Sequence, residues 1–274
     1  EGGESEDYLI EEKVADEEVA VTYTEQAFVK RIPMRLYKRR TNSGKPLTDM
    51  DDFEDDYVKK VFFTRTHDHL LAFTKEGRVH FVPVSEITEG KINSRGKSLY
   101  ALTGGDRKDS IVSLVPAGDL KGNSFIVSVT TKGMVKKTAM VEYSHPRSGG
   151  IIAGKLKSED HILDVQMTDG DCGIVLLTRE GRSIRFSESE ISVVGRASLG
   201  VKGIGLKSGD SVVSMLVVRR EGTVLCVAQD GSGKRINLGE LPLRKRGGLG
   251  IAVLDREEGL LVSAMEVADG DRLS

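Results

Sequence analysis

Lysine and arginine recur beside glycine at matching places along the chain, a pairing suited to binding phosphate groups. Glycine lets backbone N–H groups approach a phosphate closely, and a neighbouring cation supplies charge without selecting a particular polyanion. The cations in these loops are Lys38, Arg39, Arg40, Lys45, Arg95, Lys97, Arg147, Lys155, Lys157, Arg196, Lys202, Arg244, Lys245 and Arg246. A single such loop is ordinary in a β protein. Recurrence at five matched positions predicts a discontinuous basic band that binds a curved polyanion.

The basic loops belong to a cassette that returns five times: an apolar run, a tight turn, and a strand rich in Lys and Arg. Its turns align on Ala27, Gly77, Gly133, Gly181 and Gly231, at steps of 50, 56, 48 and 50 residues. A period near 50 of strand-turn-strand units is typical of a propeller-like array, in which one unit buries its apolar face against the next. The repeats start near residues 21, 71, 126, 174 and 224.

Each repeat has a second half that adds two more strands. A glycine-rich basic loop leads to a short apolar strand, and an acidic turn leads to another, as in residues 194–210 followed by 212–218. Alternation of period two is common, as in residues 78–82, whereas helical spacing is hard to find. The sequence therefore predicts an all-β fold with four strands per repeat, and four strands make one blade.

Charge is segregated along the chain. The net charge is −2, but residues 1–18 carry nine acids and one lysine, which leaves +6 for residues 19–274. A second acidic cluster, residues 49–56, holds six acids and no base. We interpret residues 1–18 as an acidic linker and residues 19–274 as the repeat domain. Such blocks are usually solvated, and they also compete with a polyanion for a basic surface.

Cysteine usage and hydropathy indicate a cytoplasmic protein. Cys172 and Cys226 lie within or beside apolar stretches, which favours buried thiols over a disulfide. No apolar run approaches the roughly 18 residues needed to cross a bilayer, and the first residues are acidic where a signal peptide is basic. We expect no membrane contact.

The sequence offers no convincing catalytic or metal-binding constellation. His67 and His69 alternate on an expected strand, but no cysteine and no third ligand pattern lie nearby. No Walker loop or dinucleotide-binding fingerprint follows a strand and opens a helix. We therefore expect no catalytic residue, no metal and no cofactor in this chain.

Several stretches resemble the C-terminal domain of the DNA gyrase A subunit, the β-pinwheel, and its paralogue in topoisomerase IV. The resemblance runs from about residue 16 onward and is densest in residues 66–73, 77–79, 133–138, 194–196 and 200–204. It implies a pinwheel of four-stranded blades, six in the full domain, that wraps double-stranded DNA around a basic edge with positive writhe and little sequence preference. The five visible repeats leave open a five-bladed ring, as in some topoisomerase IV domains.

The resemblance also implies a parent enzyme and partners. The parent is an ATP-dependent type II topoisomerase, nucleoid-associated, whose catalytic tyrosine lies in its N-terminal cleavage core, outside this chain. The implied protein partners are the ATPase subunit and the cleavage core of the same polypeptide. Tyr37, which lies among cations, is therefore interpreted as a loop or rim aromatic.

Gyrases of this family carry a seven-residue box, Q-R-R-G-G-K-G, in the first blade. The corresponding residues 38–46 keep two arginines and a Gly-Lys pair but lack Gly-Gly, and residues 244–250 of the fifth repeat match the box more closely. Two alternatives remain: a topoisomerase IV domain, and a protein-interaction propeller whose basic edge binds an acidic partner.

Overall fold

Regular structure in the described part of the chain is mostly β. The computed structural model describes residues 15–42, 56–91, 93–105, 110–118, 122–145, 147, 149–220, 222–254 and 259–268, without the side chains of residues 40–42. These residues include helices α1 (Met34–Asn42) and α2 (Leu99–Thr103), and 3-10 turns at Val84–Glu86, Met140–Tyr143, Glu188–Glu190 and Leu238–Glu240.

The strands follow the order of the repeats. They are β1 (Glu18–Thr24), β2 (Phe28–Pro33), β3 (Val58–Arg65), β4 (His69–Thr74), β5 (Arg78–Pro83), β6 (Lys97–Ser98), β7 (Ile111–Ala117), β8 (Phe125–Thr130), β9 (Met134–Ala139), β10 (Ile151–Ile152), β11 (Ile162–Thr168), β12 (Gly173–Thr178), β13 (Arg182–Ser187), β14 (Val201–Lys202), β15 (Val212–Val218), β16 (Thr223–Ala228), β17 (Gly233–Asn237), β18 (Ile251–Ala252) and β19 (Leu261–Val267).

The strands form five antiparallel sheets, one for each predicted hairpin. Four sheets have four strands, in the orders β3-β1-β2-β6, β10-β5-β4-β7, β11-β8-β9-β14 and β15-β12-β13-β18, and the fifth has the order β17-β16-β19 within the described residues. The predicted all-β fold with five repeats is confirmed.

The fourth strand of a sheet comes from the next repeat, which the sequence patterns did not predict. Strand β14 follows the fourth hairpin but pairs with β9 of the third, with Val201 opposite Val135. Strand β18 follows the fifth hairpin and pairs with β13 of the fourth, with Ile251 opposite Ser183. Local periodicity indicates a two-residue strand but does not indicate the strand with which it pairs. The assignment of all four strands of a sheet to one repeat was therefore wrong.

A glycine stands directly before each exchanged strand because the chain passes very close to its partner there. A Cβ atom on Gly200 would lie 2.6 Å from the carbonyl oxygen of Val135, and one on Gly250 would lie 2.2 Å from that of Ser183. Gly250 also has a φ of 68°, in the region that favours glycine. A side chain at either position would force the exchanged strand away from its sheet.

The hydrophobic core lies between successive sheets. One cluster joins Val127 and Val135 of the third sheet to Leu176 and Phe186 of the fourth. Similar clusters join the second sheet to the third and the fourth to the fifth. Strand β12 is buried at five of its six positions because it is covered on both faces. Each sheet thus depends on its neighbours to remove apolar area from water.

The chain divides into two compact units, residues 1–68 with 83–97 and residues 69–82 with 98–274. In the first unit, β1 is the buried central strand. Helix α1 follows β2, and its Tyr37 ring meets Phe63 edge-on, with ring centroids 5.1 Å apart. The prediction that Lys38, Arg39 and Arg40 lie in a loop was wrong, because the methionine, leucine, lysine and arginines after Pro33 are strong helix formers. Tyr37 lies on the same helix, which contradicts its placement in a loop.

Both cysteines are buried free thiols, as predicted. Burial raises the pKa of Cys172 and of Cys226 to about 11, so both stay protonated at neutral pH. None of the helices in the described ranges is long and apolar enough to cross a membrane.

The exchanged strand provides a stability test. Gly209 has a φ of 83° with nothing within 4 Å of a Cβ atom, so G209A should cost only the left-handed backbone strain, about 1–2 kcal/mol. G250A adds a clash with backbone and should cost clearly more, above about 3 kcal/mol. Urea denaturation measures both variants, and equal losses would show that β18 tolerates displacement.

Candidate nucleic-acid interface

Three basic loops of the second unit carry most of the predicted site. We define L3 as residues 147–157, L4 as residues 195–205 and L5 as residues 244–250. Together they contain eight predicted cations and no acid. Arg147, Lys155, Lys157, Lys202, Arg244 and Lys245 are exposed, whereas Arg196 and Arg246 are half-buried.

Loops L3 and L4 are hydrogen-bonded to each other. The backbone N–H of Lys155 donates to the carbonyl of Ser198 at 3.3 Å. The Arg196 guanidinium donates through Nη1 to the carbonyl of Ile152 at 2.7 Å. The cations of L3 and L4 are therefore held side by side.

Loops L4 and L5 are joined in the same way. The N–H of Gly205 donates to the carbonyl of Gly248 at 2.8 Å, and the N–H of Gly247 donates to that of Gly203 at 2.6 Å. Arg246 donates through Nη1 to the carbonyl of Lys202 at 2.9 Å. L3, L4 and L5 consequently form one hydrogen-bonded series across three repeats.

Arg196 and Arg246 occupy equivalent positions, four residues before the glycine that opens the exchanged strand. Each donates to the second residue of the preceding exchanged strand, Ile152 or Lys202. Arg246 also donates through Nε to the carbonyl of Glu190 at 3.0 Å, while its backbone N–H donates to the Glu190 carboxylate. These two arginines join neighbouring loops, in addition to any role towards a ligand.

Lys136 is a buried cation beneath L3 and L4 that the sequence patterns did not single out. Its side chain is 6% exposed, and its Nζ donates to the carbonyls of Ala153 and Arg196. Burial, followed by the nearby Arg196 charge, lowers the pKa of Lys136 to about 8. A cavity of about 20 Å³ beside it is lined also by Lys155, Lys157 and Asp160.

A repeat alignment would have found Lys136, because the same position of the first hairpin is also a buried lysine. Lys30 is 1% exposed, and its Nζ donates to the carbonyl of Ser94 in the loop of the next repeat. A lysine on the second hairpin strand thus holds the following basic loop in both units.

Arg95 is tied to a buried carboxylate. Its Nε lies 2.9 Å from Asp56, whose side chain is 1% exposed, and its guanidinium lies 3.8 Å from the Phe28 ring centroid. Asp56 also accepts hydrogen bonds from the Thr24 hydroxyl and the Gln26 N–H. The expectation that residues 49–56 are solvated was wrong for Asp56, which fixes a hairpin turn. Residues 49–55 and 1–14 lie outside the described residues.

The remaining predicted cations belong to the first unit. Lys38 and Arg39 are exposed on α1, together with Arg35, which shares their helix face by spacing and was not predicted. Lys97 is exposed in β6. Lys45 and the Arg40 side chain lie outside the part of the chain that is described.

One group of potential metal ligands in the described part of the chain is engaged in ion pairs and hydrogen bonds. Asp169, Cys172 and Glu188 lie close together, but the Nζ of Lys137 is 3.0 Å from Glu188, and the Cys172 thiol donates to Asp169. His67 lies in a turn and His69 begins β4, so the two do not alternate on one strand as expected.

The lowered pKa of Lys136 predicts a pH dependence of stability. Its ordinary pKa is 10.5, so between pH 8 and 10.5 the unfolded chain holds one more proton at this residue than the folded chain. The contribution of Lys136 to the free energy of unfolding must therefore rise with pH in that window.

K136M should remove this rise. Because the raised pKa values of Cys172 and Cys226 act in the opposite direction between pH 9 and 11, the quantity to measure is the wild-type minus K136M difference between pH 7 and 9. K132M, at an exposed lysine, is the control. A pH-independent difference would contradict the assignment.

Comparison with known proteins identifies the family of the chain. Residues 68–117, 124–169, 174–219 and 222–273 match the family described as DNA gyrase C-terminal domain, beta-propeller. The DNA gyrase A subunit of Salmonella typhimurium is 34% identical over 98% of the chain, and that of Escherichia coli is 33% identical over 98%. The chain spans 31% of the length of each of these relatives.

Solved structures give the same result. The C-terminal domain of a DNA topoisomerase IV has a TM-score of 0.80 and 30% identity, covering 94% of this chain and 80% of that one. A DNA gyrase A C-terminal domain has a TM-score of 0.72 and 23% identity, covering 92% and 84%, and supports the fold. The resemblance seen in the sequence is confirmed: the chain belongs to the DNA gyrase C-terminal domain family.

Proposed function

We propose that this chain is the non-catalytic, DNA-wrapping part of a DNA gyrase A subunit. The observation that carries the proposal is the hydrogen-bonded series L3, L4 and L5, with eight cations, six of them exposed, and no acid. A duplex presents one phosphate charge about every 1.7 Å, so a row of cations held by backbone contacts suits it without reading bases.

Wrapping requires that the cations be spaced along a path. Smooth bending of a 20–30 bp site costs on the order of 1–6 kcal/mol, which contacts distributed over several repeats can offset. Loss of one loop should therefore weaken wrapping more than first encounter. Because the contacts are to the backbone, we infer little sequence specificity beyond DNA flexibility.

The parent assignment follows from the same proposal. The parent would be a bacterial ATP-dependent type II topoisomerase, cytoplasmic and nucleoid-associated, with its active-site tyrosine outside this chain. Its partners would be double-stranded DNA, the ATPase subunit, and the cleavage core of the same polypeptide. Residues 1–18 would serve as an acidic linker and residues 19–274 as the wrapping domain.

Salt dependence of duplex binding tests the proposal. Exposed Lys155 and Lys157 of L3 are each expected to contact a phosphate. For K155Q/K157Q the slope of log K against log salt should become shallower by about 0.9 for each lost contact, equally for unrelated sequences. A fluorescence-anisotropy titration between low and moderate salt measures the slope.

The matched control is K59Q/K60Q, which removes two exposed lysines of β3 outside the predicted loops. Its slope should equal that of the wild type. Equal slopes for both variants and the wild type would remove L3 from the interface. A wild type without steep salt dependence would favour the protein-interaction alternative.

The direction of wrapping distinguishes gyrase from topoisomerase IV. Nicked circular DNA is ligated in the presence of saturating chain, and its topoisomers are then separated by gel electrophoresis. We expect a shift to positive linking difference that increases with bound protein. A distribution unchanged from naked DNA would instead support the paralogue or a weakened box at residues 38–46.

A further inference from the structure

A groove of about 720 Å³ lies between the fourth and fifth sheets, outside L3, L4 and L5. Arg185 of β13 and Arg219 and Arg220, which follow β15, line it together with Gly173 and Leu238. Its volume is in the range of ligand-binding clefts. None of its arginines belongs to the basic loops predicted from the sequence.

The equivalent place between the third and fourth sheets is closed and self-neutralised. There, the Nζ of Lys137 lies 3.0 Å from the Glu188 carboxylate and 4.4 Å from the centroid of the Phe125 ring. It also donates to the carbonyl of Gly170 at 3.1 Å. The side chains of Lys137 and Glu188 are 6% and 0% exposed, so the ion pair fills the site.

Alignment on the hairpin turns shows how the two places differ. Arg185 replaces Lys137, so the central cation is kept. The two side chains that contact this cation are lost, because Leu238 stands in place of the Glu188 carboxylate and Gly173 in place of the Phe125 ring. Two further arginines are gained, with Arg219 in place of Asp169 and Arg220 in place of Gly170. The position that holds a buried ion pair between the third and fourth sheets is thus an open, arginine-lined groove between the fourth and fifth sheets.

Arg185 lines the groove and has one side-chain donor that the protein leaves without a partner. Its Nη1 donates to the carbonyl of Leu238 at 2.8 Å, which fixes the side chain. Its Nε is buried and finds no hydrogen-bond partner among the described residues. A buried donor without a partner costs about 1–3 kcal/mol, which a bound acceptor would recover.

Acidic groups near the groove neutralise it only in part. The Nε of Arg220 lies 3.4 Å from a Glu266 oxygen. The pKa of Asp169 is lowered mainly by the hydrogen bond from the Cys172 thiol and more weakly by the nearby charge of Arg219. Arg185 has no acid within ion-pair distance among the residues described. Guanidinium groups from separate segments suit the several oxygens of a phosphate better than a single carboxylate.

We propose that this groove binds a phosphate group of the backbone of the duplex that is bound to L5. The identification of the duplex as the source of this phosphate rests on the function proposed above. The groove adjoins L5, because the main-chain carbonyl of Arg185 accepts a hydrogen bond from the N–H of Arg244, the first residue of L5, at 2.8 Å. A duplex leaving L5 therefore has a further anchoring point at Arg185, Arg219 and Arg220.

Two variants test the groove. R219Q/R220Q removes the charges of two exposed arginines, which also contact the Met167 carbonyl and the Glu266 carboxylate. L238E restores the acid found at Glu188 in the neighbouring repeat and should neutralise Arg185. For each variant, the salt slope of duplex binding should become shallower by about 0.9 for each lost phosphate contact. The control K132Q/R179Q removes two exposed hairpin-turn cations and should leave the slope unchanged.

A second measurement uses inorganic phosphate without DNA, followed by phosphorus NMR line broadening. Broadening by the wild type that is lost in R219Q/R220Q supports the site independently of wrapping, even if the wild type fails to bind duplex and the function proposed above is wrong. Shallower duplex slopes support the duplex as the source. If the variant loses the phosphate line broadening but keeps the wild-type salt slope of duplex binding, the duplex is not the source of the phosphate. If the variant differs from the wild type in neither measurement, the site is overturned.

Discussion

The exchange of a two-residue strand between consecutive repeats is the constraint on which the second unit depends. Each of its first three hairpins pairs its second strand with residues that follow the next hairpin, at Ile151, Val201 and Ile251. Because the exchanged strand must pass within van der Waals distance of a carbonyl, the residue before it is glycine. Each of these sheets is therefore joined to the next repeat in two ways, by the exchanged strand and by the core clusters between sheets.

Strand exchange also explains the geometry of the basic loops. The loop that leads into an exchanged strand is drawn against the loop of the preceding repeat, so L3, L4 and L5 become hydrogen-bonded to each other. Cations then divide into two kinds. Arg196, Arg246 and the buried Lys136 satisfy loop carbonyls. Exposed lysines such as Lys155 and Lys202 keep their charge available to solvent. A count of basic residues therefore overstates the charge that a polyanion can reach.

Repetition fixes the framework but leaves the sites between sheets free to diverge. The site around Lys137 is closed by an aromatic ring and a buried carboxylate. The site around Arg185 lacks both groups and gains Arg219 and Arg220. The hairpins that carry the two sites, β8–β9 and β12–β13, nevertheless have the same strand register. A buried ion pair at one interface thus corresponds to an opening at the next, and the two differ by a few residues. The buried pair is itself weak support for stability, since its desolvation offsets much of its attraction.

The sequence alone determined the five hairpins and the recurrence of the basic loops, because both rest on local information: period-two alternation, turn glycines and matched spacing. The family followed from short stretches of sequence that resemble it. Tertiary structure decided what these patterns do not contain. It placed the fourth strand in the preceding sheet, turned residues 34–42 into a helix, buried Asp56 against Arg95, and hid Lys136 beneath the loops. Residues about 50 positions away determine which strands pair and which side chains are buried. Local sequence periodicity does not indicate these contacts.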